Sequence, residues 1–106
     1  MPKYLIEASY TVEGVKGVQS AGGSRRRDAI AALAESVGGQ LESFYFAFGD
    51  TDAFVVLDLP DNRTAAAASI AVNTAGGATS DVVVLLTPEE IDEAAKLSVD
   101  YRPPGS

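Results

Sequence analysis

The sequence predicts an α+β fold in which two split β-α-β units share one antiparallel sheet. Three observations predict it. Residues 3–10, 40–60 and 80–87 alternate or run apolar in lengths that suit four strands. Helical signals, either a three-and-four apolar spacing or an alanine-rich run, fall between the first and second strands and between the third and fourth. The resulting order is β-α-β-β-α-β with one extra C-terminal helix, the ferredoxin-like arrangement. With neither an internal repeat nor a linker, residues 1–106 are expected to form one domain.

The elements follow in chain order. In KYLIEASY, residues 3–10, Tyr4, Ile6, Ala8 and Tyr10 fall on one face and Lys3, Leu5, Glu7 and Ser9 on the other, as in a strand. Two helical pieces come next. Thr11 is placed to cap the first, Glu13 sits in its positive first turn, and Gly22-Gly23 ends it; Ser24 is placed to cap the second. In that second piece Ile30, Leu33, Ala34 and Val37 form a buried stripe, and Gly38-Gly39 stops it. Residues 40–60 read as two strands around Gly49-Asp50-Thr51-Asp52, because Gly and Asp tolerate turn dihedrals. An alanine-rich helix follows, capped by Asp61 or Asn62 and closed by Gly76-Gly77, and SDVVVLLT, residues 80–87, is the fourth strand. Thr87-Pro88-Glu89-Glu90 combines an N-cap, a proline at the first helical position and a glutamate three residues after the cap, so a last helix starts there. The tail YRPPGS is expected to be extended, since its prolines forbid further helix.

Composition narrows the function. At 106 residues the chain can bury a core but is expected to leave little room for a sizeable ligand cavity inside one subunit. It contains no Cys and no His, which removes disulfides, thiolate nucleophiles, imidazole bases, the usual haem ligand and most transition-metal sites. No acidic cluster has a recognised cation-loop spacing, so neither a metal nor a cofactor is expected. Any enzyme built here works with carboxylates, Tyr, Lys, Arg and backbone dipoles. A net charge of −7 argues against nucleic acid as a partner. No run reaches bilayer length, and charge falls early in MPKYLIEASY, unlike a signal peptide; a cytoplasmic protein without a membrane partner is expected.

The strands also point beyond the monomer. A sheet with one wet face alternates cleanly, yet FYFAF, residues 44–48, and VVVLL, residues 82–86, are apolar on both faces. Helices cover one face. The other is expected to pack on a second copy, as a symmetric homodimer or a higher homo-oligomer.

Taken together, MPKYLIEASYT, EGVKG, GGSRRR, FYFAFGDTDAF, LPDN, LLTPEEIDEAAK and YRPPG resemble the bacterial GYD-domain family over essentially the whole chain. The resemblance implies a ferredoxin-like subunit whose sheets pair into a dimeric α+β barrel. The Gly-x-Tyr-Asp stretch that names the family is matched by Gly49, Asp50, Thr51 and Asp52, with Thr51 at the Tyr position. A ligand role for Asp52 comes from this match alone. Related barrels include cofactor-independent monooxygenases, lactone isomerases, haem enzymes and ligand-sensing modules, so the analogy spans several functional classes.

Two constellations are candidates for chemistry. If residues 24–37 are one helix, then at about 100° per residue Arg26 sits near the middle of the apolar stripe, Arg27 on its edge and Arg25 opposite. One reading is an anion held by Arg26, Arg27 and the amides after Ser24. The other is structural: Arg26 and Arg27 lay their stems over the sheet edge and pair with Asp28, Glu42 or another carboxylate. Glu7 and Asp58 each interrupt an apolar strand, and their strands are expected to be neighbours. Close together on one face, they would divide acid and base roles; otherwise each binds an arginine. The preferred function is a binding module for an anionic or aromatic small molecule in the space between sheet and helices, using Arg26, Arg27, Tyr45 and Glu7. The alternatives are a cofactor-independent enzyme with Glu7 or Asp58 as proton carrier, and a structural or assembly protein with a filled interior.

Overall fold

The structure, a computed structural model, describes residues 1–105. Strands β1 (Lys3–Tyr10), β2 (Gln40–Phe46), β3 (Ala53–Asp58) and β4 (Ala78–Leu85) form one antiparallel sheet in the order β2-β3-β1-β4. Helices α1 (Val12–Ala21) and α2 (Gly23–Ser36) connect β1 to β2, α3 (Asn62–Ala75) connects β3 to β4, and α4 (Pro88–Ala95) follows. This is the expected α+β, ferredoxin-like order, with β1 and β3 as the central pair.

The core lies on one face of that sheet. Alternation sends Tyr4 and Ala8 of β1 and Ala53, Val55 and Leu57 of β3 to this face, where they meet Ala34 of α2 and Ala65 of α3. Alanines at the helix positions let the backbones approach the sheet closely. Burial of Leu57 and Leu59, each at most 2% exposed, contributes about 1.5–3 kcal/mol apiece. Tyr4 is equally buried, and its hydroxyl donates to Asn62 Oδ1 at 2.7 Å, so the ring enters the core without an unsatisfied polar group.

Helix ends follow side-chain chemistry with two differences from expectation. Thr11 Oγ1 accepts from Gly14 N, Asp61 Oδ1 accepts from Thr64 N, and Thr87 with Glu90 forms a reciprocal capping box. Ser24, however, does not cap α2. Gly22, at φ +88° and ψ 163°, both closes α1 and opens α2, a backbone region essentially confined to glycine, so the helix starts at Gly23 and Ser24 lies within its first turn. The second difference is β4, which spans residues 78–85 rather than 80–87. Thr11 donates from its amide to Gly77 O and from its hydroxyl to Gly76 O, which seats Ala78 and Thr79 opposite Tyr10 and Ser9.

The molecule is elongated, with extents of 57 × 33 × 22 Å and a radius of gyration of 16.8 Å. A compact chain of this length has about 13 Å. The C-terminal arm contributes to this elongation: every residue from Pro88 to Gly105 is exposed, including Ile91, Leu97, Val99 and Tyr101. Among the described residues no helix is long and apolar enough to cross a membrane.

Candidate functional site: a cleft between three helices

Helices α1, α2 and α3 do not close over the end of the sheet. Between them lies a cleft of about 510 Å³, within the range of small-molecule sites, whose walls include Gly17 and Val18 of α1, Ile30 and Leu33 of α2, and Ala71 and Val72 of α3. A chain of this size is expected to leave little room for a cavity inside the subunit, and the space found lies outside the core. The space is an open groove between helices that stay apart, so it does not hollow out the core. A smaller chamber of about 30 Å³ continues beneath it, bounded by Ile6, Phe44 and Val55 of the sheet. Tyr10, Arg26, Ile30, Leu33 and Val72 belong to the walls of both spaces and mark their junction.

Arg26 is the polar group at that junction. Its Nε is buried and has no hydrogen-bond partner among the described residues, and its guanidinium carbon lies 5.9 Å from the Tyr10 ring centroid, within cation–π range. A buried N–H left without an acceptor costs about 1–3 kcal/mol, more when the group is charged. Among the described residues the walls supply no acceptor of the right charge: neither space is lined by any Asp or Glu, and the charged wall residues are Arg25 and Arg26. In a chain of net charge −7 this cleft is a local positive site.

Tyr10 is held in place from the hairpin. Its amide donates to Asp52 Oδ2 at 2.8 Å, while Asp52 N donates to Ala8 O and Ser9 Oγ donates to Asp50 O. The Gly49–Asp52 stretch thus fastens to the last residues of β1 and sets the strand that carries Tyr10. Phe46 packs beside it, its ring tilted and 6.3 Å from that of Tyr10 between centroids, and edge-on to that of Phe44 at 5.0 Å.

Of Glu7, Ser24, Arg26, Arg27, Tyr45, Asp52 and Asp58, the candidate site residues of the sequence, Arg26 alone lines the cleft. Arg27 points elsewhere and lies 3.6 Å from Asp28, the structural pairing considered for it. Arg25, placed opposite the stripe by helical phase, lines the cleft because α1 runs alongside the first turn of α2. Ser24 is exposed, and Asp52 reaches the site only through Tyr10. Glu7, Tyr45 and Asp58 belong to the opposite face of the sheet. There Glu7 and Asp58 do share a face, but Asp58 is opposite Lys3 and Glu7 opposite Phe54, four register positions, roughly 13 Å, along the strands. The carboxylate across from Glu7 is Asp81 of β4, which needs the β1–β4 register to find.

Asp58 is instead part of an ion cluster. Lys3 Nζ donates to Asp58 Oδ1 at 2.8 Å and to Glu42, and Gln40 Nε2 donates to Asp58 Oδ2 at 3.3 Å. The hydrogen bond from Lys3 holds the Asp58 carboxyl below its ordinary pKa, against the opposing effect of partial burial, and the same bond raises Lys3. Around these charges the open face carries Leu5, Val56, Leu85, Phe54 at 38% exposure and Val83 at 41%.

Comparison with curated proteins and with solved structures finds no match. The sequence model of the GYD domain matches residues 4–95, most of the length that builds the sheet, the cleft and α4. A chain that carries the family's domain over this span, with its Gly49–Asp52 stretch fastened to the strand beneath the cleft, belongs to the GYD domain family.

Proposed function

We propose that the protein is a cytoplasmic, homo-oligomeric binding module that holds an anionic or aromatic small molecule in the cleft between α1, α2 and α3. The observation that carries this reading is the buried Nε of Arg26, unpartnered among the described residues, in a cleft that no described carboxylate lines. A guanidinium whose Nε–H is covered there without an acceptor is stabilised by an external anion, and the glycine and alanine walls leave space for one. Tyr10 and the aliphatic wall supply the apolar contact. Pairing of subunits through the open sheet face, as the two-faced strands suggest, leaves the cleft on the outer, helical side of each copy.

Carboxylate acid/base catalysis has less support. Asp58 is held ionised by Lys3, and its separation from Glu7 leaves no shared proton. The test of the binding reading is an NMR titration of the full chain with a chemically diverse small-molecule set. The expected result is saturable shifts in the amide signals of Tyr10, Arg26, Ile30, Leu33 and Val72. Shifts confined to Leu5, Phe54 and Val83 of the open face, or none at all, would contradict it.

A further inference from the structure

The identity of the wall residues says more than that an anion fits. Resting on the reading of the cleft as a ligand site, we infer that its ligand is an amphipathic monocarboxylate, with its head at the Arg26 guanidinium and an aromatic or alicyclic body along Ile30, Leu33 and Val72.

The head group follows from the donors. A guanidinium presents its Nε–H and one Nη–H side by side, the spacing of the two oxygens of a carboxylate, and in Arg26 the Nε end of that fork finds no acceptor among the described residues. A phosphate monoester brings nearly two charges and three oxygens. The walls of the larger space offer it too little: apart from Arg25, Arg26 and the Tyr10 hydroxyl their side chains are those of Val, Ala, Ile and Leu, interspersed with glycine. Arg25 is exposed at the rim, where water weakens its contribution. A single carboxylate is matched by one fork, whereas a dianion would leave oxygens unsatisfied in an apolar wall.

The body of the ligand follows from the same walls. Beyond the two arginines and the Tyr10 hydroxyl, no side-chain carboxylate, amide or ammonium among the described residues lines the larger space, and the serines present, Ser69 and Ser80, line only the small chamber beneath. Tyr10 presents its ring to the guanidinium, so a second flat group can lie against the same cation from the cleft side. The chamber of about 30 Å³ has room for about one water, so the bulk of the molecule occupies the larger space.

The experiment keeps the body constant and changes the head. Isothermal titration calorimetry on the full chain compares 2-naphthoate, 2-naphthamide, 2-naphthyl phosphate and 2-naphthylmethylammonium at one ionic strength. The expected order is carboxylate tightest, by about tenfold or more over the amide and the phosphate, with the ammonium weakest; that ratio is the scale of one charge-assisted pair. In Arg26→Met the carboxylate and amide converge to within about twofold, while Arg26→Lys, which keeps the charge without the fork, retains part of the preference. Amide or phosphate binding as tightly as carboxylate in the unaltered protein, with shifts mapping to the cleft, overturns the head-group assignment and leaves the ligand site standing. A carboxylate preference that survives in folded Arg26→Met overturns the assignment to Arg26. Failure of all four compounds to bind overturns both the inference and the reading beneath it.

Discussion

Lys3 and Arg26 lie on opposite sides of one sheet, and where Lys3 is paired, Arg26 Nε finds no acceptor among the described residues. Lys3 donates to Asp58 and Glu42, and the consequence is pH-dependent stability. Because the folded pKa of Asp58 lies below the unfolded value near 3.9, its contribution is full above that value and is lost as pH falls through the folded one. For Lys3 the shift is upward, so its share is full below about 10.4 and is lost only as pH rises through the folded pKa. Calorimetric melting of the unaltered protein and of Asp58→Asn is therefore expected to show a gap in Tm that is steady from about pH 5 to 9 and narrows below about pH 4. A gap undiminished at about pH 2.5 would refute the pairing. Asp58 was conspicuous in the sequence as a charge in an apolar strand. Its partner was not, because Lys3 becomes its neighbour only through the β1–β3 register. Arg26 was legible from helical phase alone, which set it on the stripe of Ile30 and Leu33; Arg25 was not, since nothing in its own helix records where α1 lies.

At the scale of elements, α1 shows how packing separates residues that look alike. Gly14 and Gly17 are both helix-interior glycines of the EGVKG segment. A Cβ added at Gly14 would fall 1.8 Å from Gly77 O, whereas one at Gly17 meets nothing within 4 Å. Gly14→Ala is thus expected to cost about 1–3 kcal/mol by forcing α1 off the start of β4, while Gly17→Ala gains about 0.5–1 kcal/mol of helix propensity. Urea unfolding of both variants measures the difference, and equal effects would contradict the close approach. The ends of elements were legible where chemistry is local: the Thr87 box, the Asp61 cap and the glycine break between α1 and α2 all lie within four residues of the feature they cause. The start of β4 was less so. It depends on Thr11 binding Gly76 and Gly77, a contact some 65 residues apart in sequence.

The whole molecule divides its surface by task. One face of the sheet, with its helices, holds the core and the cleft; the other leaves Leu5, Phe54, Val56 and Val83 around the Lys3 cluster, and an arm with four large exposed apolar side chains extends from β4. A lone subunit would present these surfaces to water, an arrangement that favours association with a second copy. The two-faced strands FYFAF and VVVLL carried that expectation in the sequence, because alternation fails there whatever the tertiary structure. The cleft was hidden, since it arises from helices that stay apart, and chain length alone pointed to a filled interior. Native mass spectrometry of the full chain with 2-naphthoate tests subunit pairing and the carboxylate site together. An even number of 11.0 kDa subunits, each carrying one naphthoate, is the expected result; a folded single copy of 11.0 kDa that takes up none would overturn both.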